Sequence, residues 1–187
     1  MPALPEAGVW AVDRNYSSVR FAITHHAVTT FRSGFTDFDG AFDAPARVLS
    51  GSARVASVQA FPPLLRRLAE ADFFDFEAFP EMRFASTSIE QDGDGGVAVA
   101  GALTIRDVTL PVRATGVTRG IVPVTHFPER LRHEHFGLDL ELTIDRRDYG
   151  VSYNNELADG RANLGFDVAI EVALELARTD PIDAKEM

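Results

Sequence analysis

Every second residue from Phe136 to Ile144 is apolar: Phe136, Leu138, Leu140, Leu142 and Ile144 alternate with Gly137, Asp139, Glu141, Thr143 and Asp145. The same pattern returns near the C-terminus, where Phe166, Val168, Ile170, Val172, Leu174 and Leu176 alternate with Asp167, Ala169, Glu171, Ala173, Glu175 and Ala177. Successive side chains of an extended chain point to opposite faces, so each run is a strand with one dry face and one wet face. Such a strand must bury its dry face against another sheet or against the far wall of its own. Shorter copies of the signature occupy much of the remaining chain. Val19, Phe21 and Ile23 share one parity, as do Leu49, Ala53 and Val55 within 48–57, then Val97, Val99, Leu103 and Ile105, then Val108, Leu110, Val112 and Ala114. A parallel sheet covered on both faces would read as continuous apolar runs, and is excluded.

The breaks between these runs organise the chain. In 31–42, Gly34 is read as a bulge where the facing changes, because Phe35 lies on one parity and Phe38 and Phe42 on the other. Phe61-Pro62-Pro63 opens a short helix over 64–70, with proline accommodated in the first turn. An aromatic loop follows, carrying Phe73, Phe74, Phe76 and Phe79. A strand over 82–89 leads into Gln91-Asp92-Gly93-Asp94-Gly95-Gly96, a hairpin turn. Arg106-Asp107 forms a tight turn, and 118–134, with Pro123 and Pro128, reads as a long surface loop. The sum is about eight antiparallel strands with one short helix, in a single domain over 9–178 between an N-terminal tail (1–8) and a polar C-terminal tail (179–187). A sandwich and a closed barrel both satisfy this pattern. The length of the strands favours the barrel, because closure removes exposed edges.

Composition narrows the function. Phe occurs 14 times against one Trp and three Tyr, a skew that supplies interior bulk without polar tips. The absence of Cys excludes disulfides, thiol nucleophiles and thiolate metal sites. A net charge of -10 repels phosphate backbones and anionic membrane surfaces, so no nucleic-acid partner is expected. No run reaches the ~20 apolar residues of a membrane span, and the first residues have neither a basic nor an apolar leader segment. The expectation is a cytoplasmic protein without stable membrane insertion.

Residue-level chemistry is sparse. His133-Glu134-His135 places two imidazoles on one strand face, but only the distant His126 offers a third ligand, and a closed site needs three or four. Asp145-Arg146-Arg147-Asp148-Tyr149-Gly150 reads as a salt-bridged strand end and turn rather than an acid/base constellation. No Gly-x-Ser-x-Gly elbow and no phosphate loop is present, and no cofactor or metal is assigned. His25 shares the parity of Phe21 and Ile23 and should point inward, either as a hydrogen-bonded core residue or as a contact for a ligand head group. The Phe73–Phe79 cluster either plugs one barrel end or gates it.

Ordered blocks along the chain resemble the YceI-like family. They are Trp10-Ala11-Val12-Asp13, Ser17-Ser18-Val19-Arg20-Phe21, His25, and Gly34-Phe35-Thr36-Asp37-Phe38-Asp39-Gly40. Ala71-Asp72-Phe73-Phe74-Asp75 with Phe79-Pro80, Phe84-Ala85-Ser86-Thr87, Gly101-Ala102-Leu103-Thr104-Ile105, Val108-Thr109-Leu110-Pro111-Val112 and Ile144-Asp145-Arg146-Arg147-Asp148-Tyr149-Gly150 follow in the family's order. The resemblance implies an extended lipocalin-like barrel with a long apolar pocket, binding of polyisoprenoids or other long-chain amphiphiles, frequent homodimers, and no established enzymatic activity. Two positions depart from the family: Tyr16 stands where His is usual, and Leu65-Arg66-Arg67-Leu68 where an Asp-x-His-Leu step is favoured. The expected ligand-binding set is Phe21, Ile23, His25, Phe35, Phe73, Phe74, Phe84, Leu103, Phe136, Leu138, Leu140 and Phe166. The leading reading is non-enzymatic storage or transport of a long-chain apolar molecule such as a polyisoprenoid, quinone precursor or fatty amide. The alternatives are an enzyme acting on a similar molecule, with His25 or Asp148 as acid/base, and a filled barrel working through its surface.

Overall fold

The computed structural model describes residues 2–124 and 134–179. Its strands are β1 (Val9–Val12), β2 (Ser18–His25), β3 (Thr29–Phe35), β4 (Phe38–Asp43), β5 (Val48–Arg54), β6 (Glu81–Gln91), β7 (Gly96–Ile105), β8 (Val108–Pro123), β9 (Glu134–Asp145) and β10 (Leu164–Arg178), with one helix, α1 (Pro62–Leu68). They form one antiparallel sheet in the order β1-β4-β5-β6-β7-β8-β9-β10-β2-β3, and β1 also pairs with β10. β1 and β2 lie end to end along one edge of β10, with β4 and β3 end to end beside them. The ten segments are therefore a closed eight-stranded barrel, the architecture that strand length favours over a sandwich. No helix among the described residues is long and apolar enough to cross a membrane.

The two broken strands keep their backbone groups satisfied across the breaks, as buried main chain must. Opposite the β1–β2 gap, the Glu175 carbonyl accepts from the Asp13 N–H at 2.8 Å, and the Glu175 N–H donates to Ser17 Oγ at 2.9 Å. Ser57 serves the β3–β4 gap: its Oγ accepts from the Asp37 N–H at 3.0 Å and its carbonyl from the Thr36 N–H at 3.2 Å.

Three expectations change. β3 runs straight through Gly34, opposite Arg20, where a Cβ would stand 2.8 Å from the Val19 carbonyl oxygen. Close approach, not a bulge, requires this glycine. The facing switches at Thr36-Asp37 instead, which sends Phe35, Phe38 and Phe42 all to the interior. β5 ends at Arg54, and Val55–Ser57 is a 3-10 turn. Thr118–Pro123 is strand rather than loop: β8 continues along β9 with Ile121 opposite Phe136 and Pro123 opposite Glu134. The irregularity between Thr118 and Gly120 masks the alternation there. Glu134 already belongs to β9; residues 125–133 of that expected loop, with His126 and His133, and all of the C-terminal tail beyond Thr179 lie outside the described residues.

Large side chains fill one end of the barrel. Trp10 is 1% exposed and meets Phe136 edge-on at 5.2 Å, while Phe42 meets the same ring at 5.6 Å. Leu138, Leu176 and Leu4 complete this core. Leu4 comes from the segment expected as an N-terminal tail. Gln91 fixes that segment by accepting from the Leu4 N–H at 3.1 Å and donating to the Pro2 carbonyl at 2.9 Å. Trp10→Ala is expected to lower stability by about 3–5 kcal/mol, read as a fall in the urea unfolding midpoint.

Candidate ligand cavity

The opposite end of the barrel is not filled. Between the strands and a cap made of α1, the aromatic loop and the segment after β9 lies a cavity of about 440 Å³, a size typical of small-molecule sites. Strand parity puts Phe21 and Ile23 of β2, Phe35 of β3, Phe84 of β6, Leu103 of β7 and Leu140 of β9 on its wall. A bare position makes room for one of these rings: a Cβ on Gly101 would lie 2.6 Å from the Phe84 ring. Phe31, Phe38 and Phe61 also line the cavity and were not expected there. Much of the excess of Phe therefore forms the wall of this chamber.

The cap is a built structure. Phe73 and Phe74 line the cavity and touch each other at 5.6 Å, with Tyr153 stacked against Phe73 at 5.4 Å. The Tyr153 N–H donates to the Asp72 carbonyl at 2.9 Å. Arg67 of α1 lies 3.8 Å above the Tyr153 ring and is ion-paired to Asp72 at 2.7 Å and to Glu70. These partners, the Asp72 hydrogen bond foremost, raise the Arg67 pKa. Arg106, in the turn between β7 and β8, donates to the Gly150 carbonyl at 2.7 Å and covers the Phe79 ring. Phe76 and Phe79 brace the loop from outside the cavity wall. Phe61, 61% exposed, stands at its border.

Nine of the twelve expected residues line the cavity: Phe21, Ile23, His25, Phe35, Phe73, Phe74, Phe84, Leu103 and Leu140. His25 also stacks on His26 at 3.8 Å. Phe136 and Leu138 have the expected inward parity but are consumed in the packed base. Phe166 is outside. The register of β10 shifts between Leu164 and Val168, and this irregularity turns Phe166 onto the Arg147 guanidinium, 3.9 Å away. Asp148 is exposed and absent from the wall, so the expected pairing of acid/base roles with the cavity does not hold for it. His135 contacts Glu175 at 2.8 Å, and among the described residues no three metal-ligating side chains converge.

Strand parity missed the cavity's polar residues. After β9 the chain makes a 3-10 turn, Arg146–Tyr149, in which residues three apart share a face. Arg147 turns outward and grips Asp145 with Nε 3.0 and 3.1 Å from its two oxygens, holding that carboxyl at about 2. Arg146 and Tyr149 turn inward, 4% and 2% exposed, and both line the cavity. Arg146 donates from Nε to the Gly165 carbonyl at 2.8 Å, from Nη1 to Val151 at 2.6 Å and from Nη2 to Leu164 at 3.2 Å. Burial lowers its pKa and raises that of Tyr149.

The YceI-like domain model matches residues 10–176, nearly the whole barrel. The chain belongs to the YceI-like family. It is 25% identical to a UPF0312 protein of Pseudomonas putida over 88% of this chain and 86% of that one. A UPF0312 protein of Staphylococcus aureus is 26% identical, with 88% and 95% covered. Among solved structures, BcnA of Burkholderia cenocepacia superposes with a TM-score of 0.67 at 21% identity, covering 88% of this chain and 98% of that one. A polyisoprenoid binding domain from Saccharophagus degradans superposes with a TM-score of 0.68 at 13% identity, with 91% and 98% covered. At these identities the structures establish a shared fold for this YceI-like chain.

The Asp145–Arg147 pair gives a pH test. A depressed carboxyl pKa means that the pair stabilises the fold above the ordinary Asp range and loses that contribution as pH falls toward 2. The Asp145 side-chain carbon resonance should titrate with a midpoint near 2, and should move up toward 3.8 in Arg147→Ala.

Proposed function

We propose that this YceI-like protein binds a long-chain apolar molecule, a polyisoprenoid or a related amphiphile, and stores or carries it without chemical conversion. The observation that carries this reading is the cavity at this end of the barrel, walled almost wholly by aliphatic and aromatic side chains. An alkyl or prenyl chain entering such a space gains ~0.8 kcal/mol per methylene removed from water, so ten methylenes supply roughly 8 kcal/mol before ordering costs. A solved neighbour of the same fold is described as a polyisoprenoid binding domain, which supports the same ligand class. His25, the remaining acid/base candidate, stacks on His26, and among the described residues no carboxylate is ion-paired with it.

Native mass spectrometry of the purified protein is expected to show a retained ligand mass that organic extraction removes. The extracted protein should then take up geranylgeraniol. A purified protein that retains no ligand and, after extraction, takes up no geranylgeraniol would overturn the proposal. Ala114, 4% exposed and on the cavity wall, gives a steric control. Ala114→Phe fills the space from the inside, and is expected to cut geranylgeraniol affinity by roughly tenfold or more while circular dichroism still reports the barrel.

A further inference from the structure

Among the described residues Arg146 is the one buried arginine, and no carboxylate there lies within ion-pair distance of it. The exposed Arg113, Arg147 and Arg161 are each ion-paired. Arg146 instead rests on three backbone carbonyls. These dipoles solvate the guanidinium but do not neutralise it; Asp145 acts on it only through space, its carboxylate being gripped by Arg147, and a buried charge is costly without a direct counter-charge. Two further buried polar atoms border the same space with no partner in the protein, the Tyr149 hydroxyl and Asn163 Oδ1. The main chain ties the three together. Arg146 holds the carbonyls of Leu164 and Gly165, which follow Asn163, and Tyr149 is one 3-10 turn from Arg146.

We propose that Arg146, Tyr149 and Asn163 form a seat for an acidic head group, the carboxylate of a long-chain acid whose tail fills the apolar cavity. The proposal rests on the reading that the cavity holds a long-chain ligand, and adds which head that ligand carries. A guanidinium has five N–H donors; Arg146 commits three, and two remain for an anion. The Tyr149 O–H is an uncommitted donor on the same cavity wall. Asn163 presents either its oxygen or, by turning the amide, its N–H₂ to the head. One buried cation balances one negative charge. A diphosphate head would leave further charge unpaired in an apolar chamber, and an alcohol head would leave the cation without a counter-ion.

Calorimetric titration of the delipidated protein with tetradecanoic acid and with tetradecanol, at neutral pH, tests the seat. The acid should bind at least roughly tenfold more tightly than the alcohol, as a charge-assisted bond to a buried guanidinium implies. Arg146→Met should abolish that preference. Because Arg146 also holds three carbonyls and its variant can fail to fold, Tyr149→Phe is the second arm. It removes a hydroxyl that has no protein partner, so thermal stability should hold or rise, while acid affinity falls roughly tenfold. Equal binding of acid and alcohol, or unchanged acid affinity in Tyr149→Phe, would overturn the seat and leave the apolar cavity standing. Binding of neither compound would overturn both.

Discussion

The pairing along β10 is what the rest of this protein depends on. Its fifteen residues run beside β9 on one edge, and beside β2 and then β1 on the other. That second edge is the closure of the barrel. Without it the sheet would expose two rows of unpaired amides, and its apolar face would bend around nothing. With it, eight strands share a single interior and every inward side chain faces one enclosed volume. The break between β1 and β2 falls on this seam, so the Ser17 side chain standing in for a missing ladder bond at Glu175 keeps the closure continuous.

One interior holds two regimes. At the base, Trp10, Phe42 and Phe136 reach across the barrel axis and meet, with ring centroids 5.2 and 5.6 Å apart. Toward the cap, Phe21, Phe84 and Leu140 stand around the cavity instead of closing it, and the cap is held together by contacts among its own parts, Arg67 on Tyr153 and Tyr153 on Phe73. The cap contains the family-divergent Leu65-Arg66-Arg67-Leu68 step. Here Arg67 is spent on Tyr153, Asp72 and Glu70 as well as bordering the cavity.

This division explains how far the sequence could be read. Alternation reports which face of a strand is dry, and so the barrel and most of its wall were legible. It does not report whether opposite walls touch, which is why Phe136 and Leu138 were assigned to ligand contact and belong to the packed base. It also fails wherever the period slips by one residue. The shift in β10 removed Phe166 from the interior, and the break at Thr36-Asp37 brought Phe35 and Phe38 to the same side.

The larger omission has a different origin. Asp145-Arg146-Arg147-Asp148-Tyr149-Gly150 read as a salt-bridged turn, and for Asp145 and Arg147 it is one. The same six residues change period, from two in β9 to three in the 3-10 turn, and that change selects Arg146 and Tyr149 for the interior while leaving Arg147 and Asp148 outside. A fold that needed only a turn here could place two apolar residues inward at lower desolvation cost. An arginine held by three carbonyls and a tyrosine hydroxyl with no partner in the protein stand there instead, and both are suited to face a polar group from outside the protein.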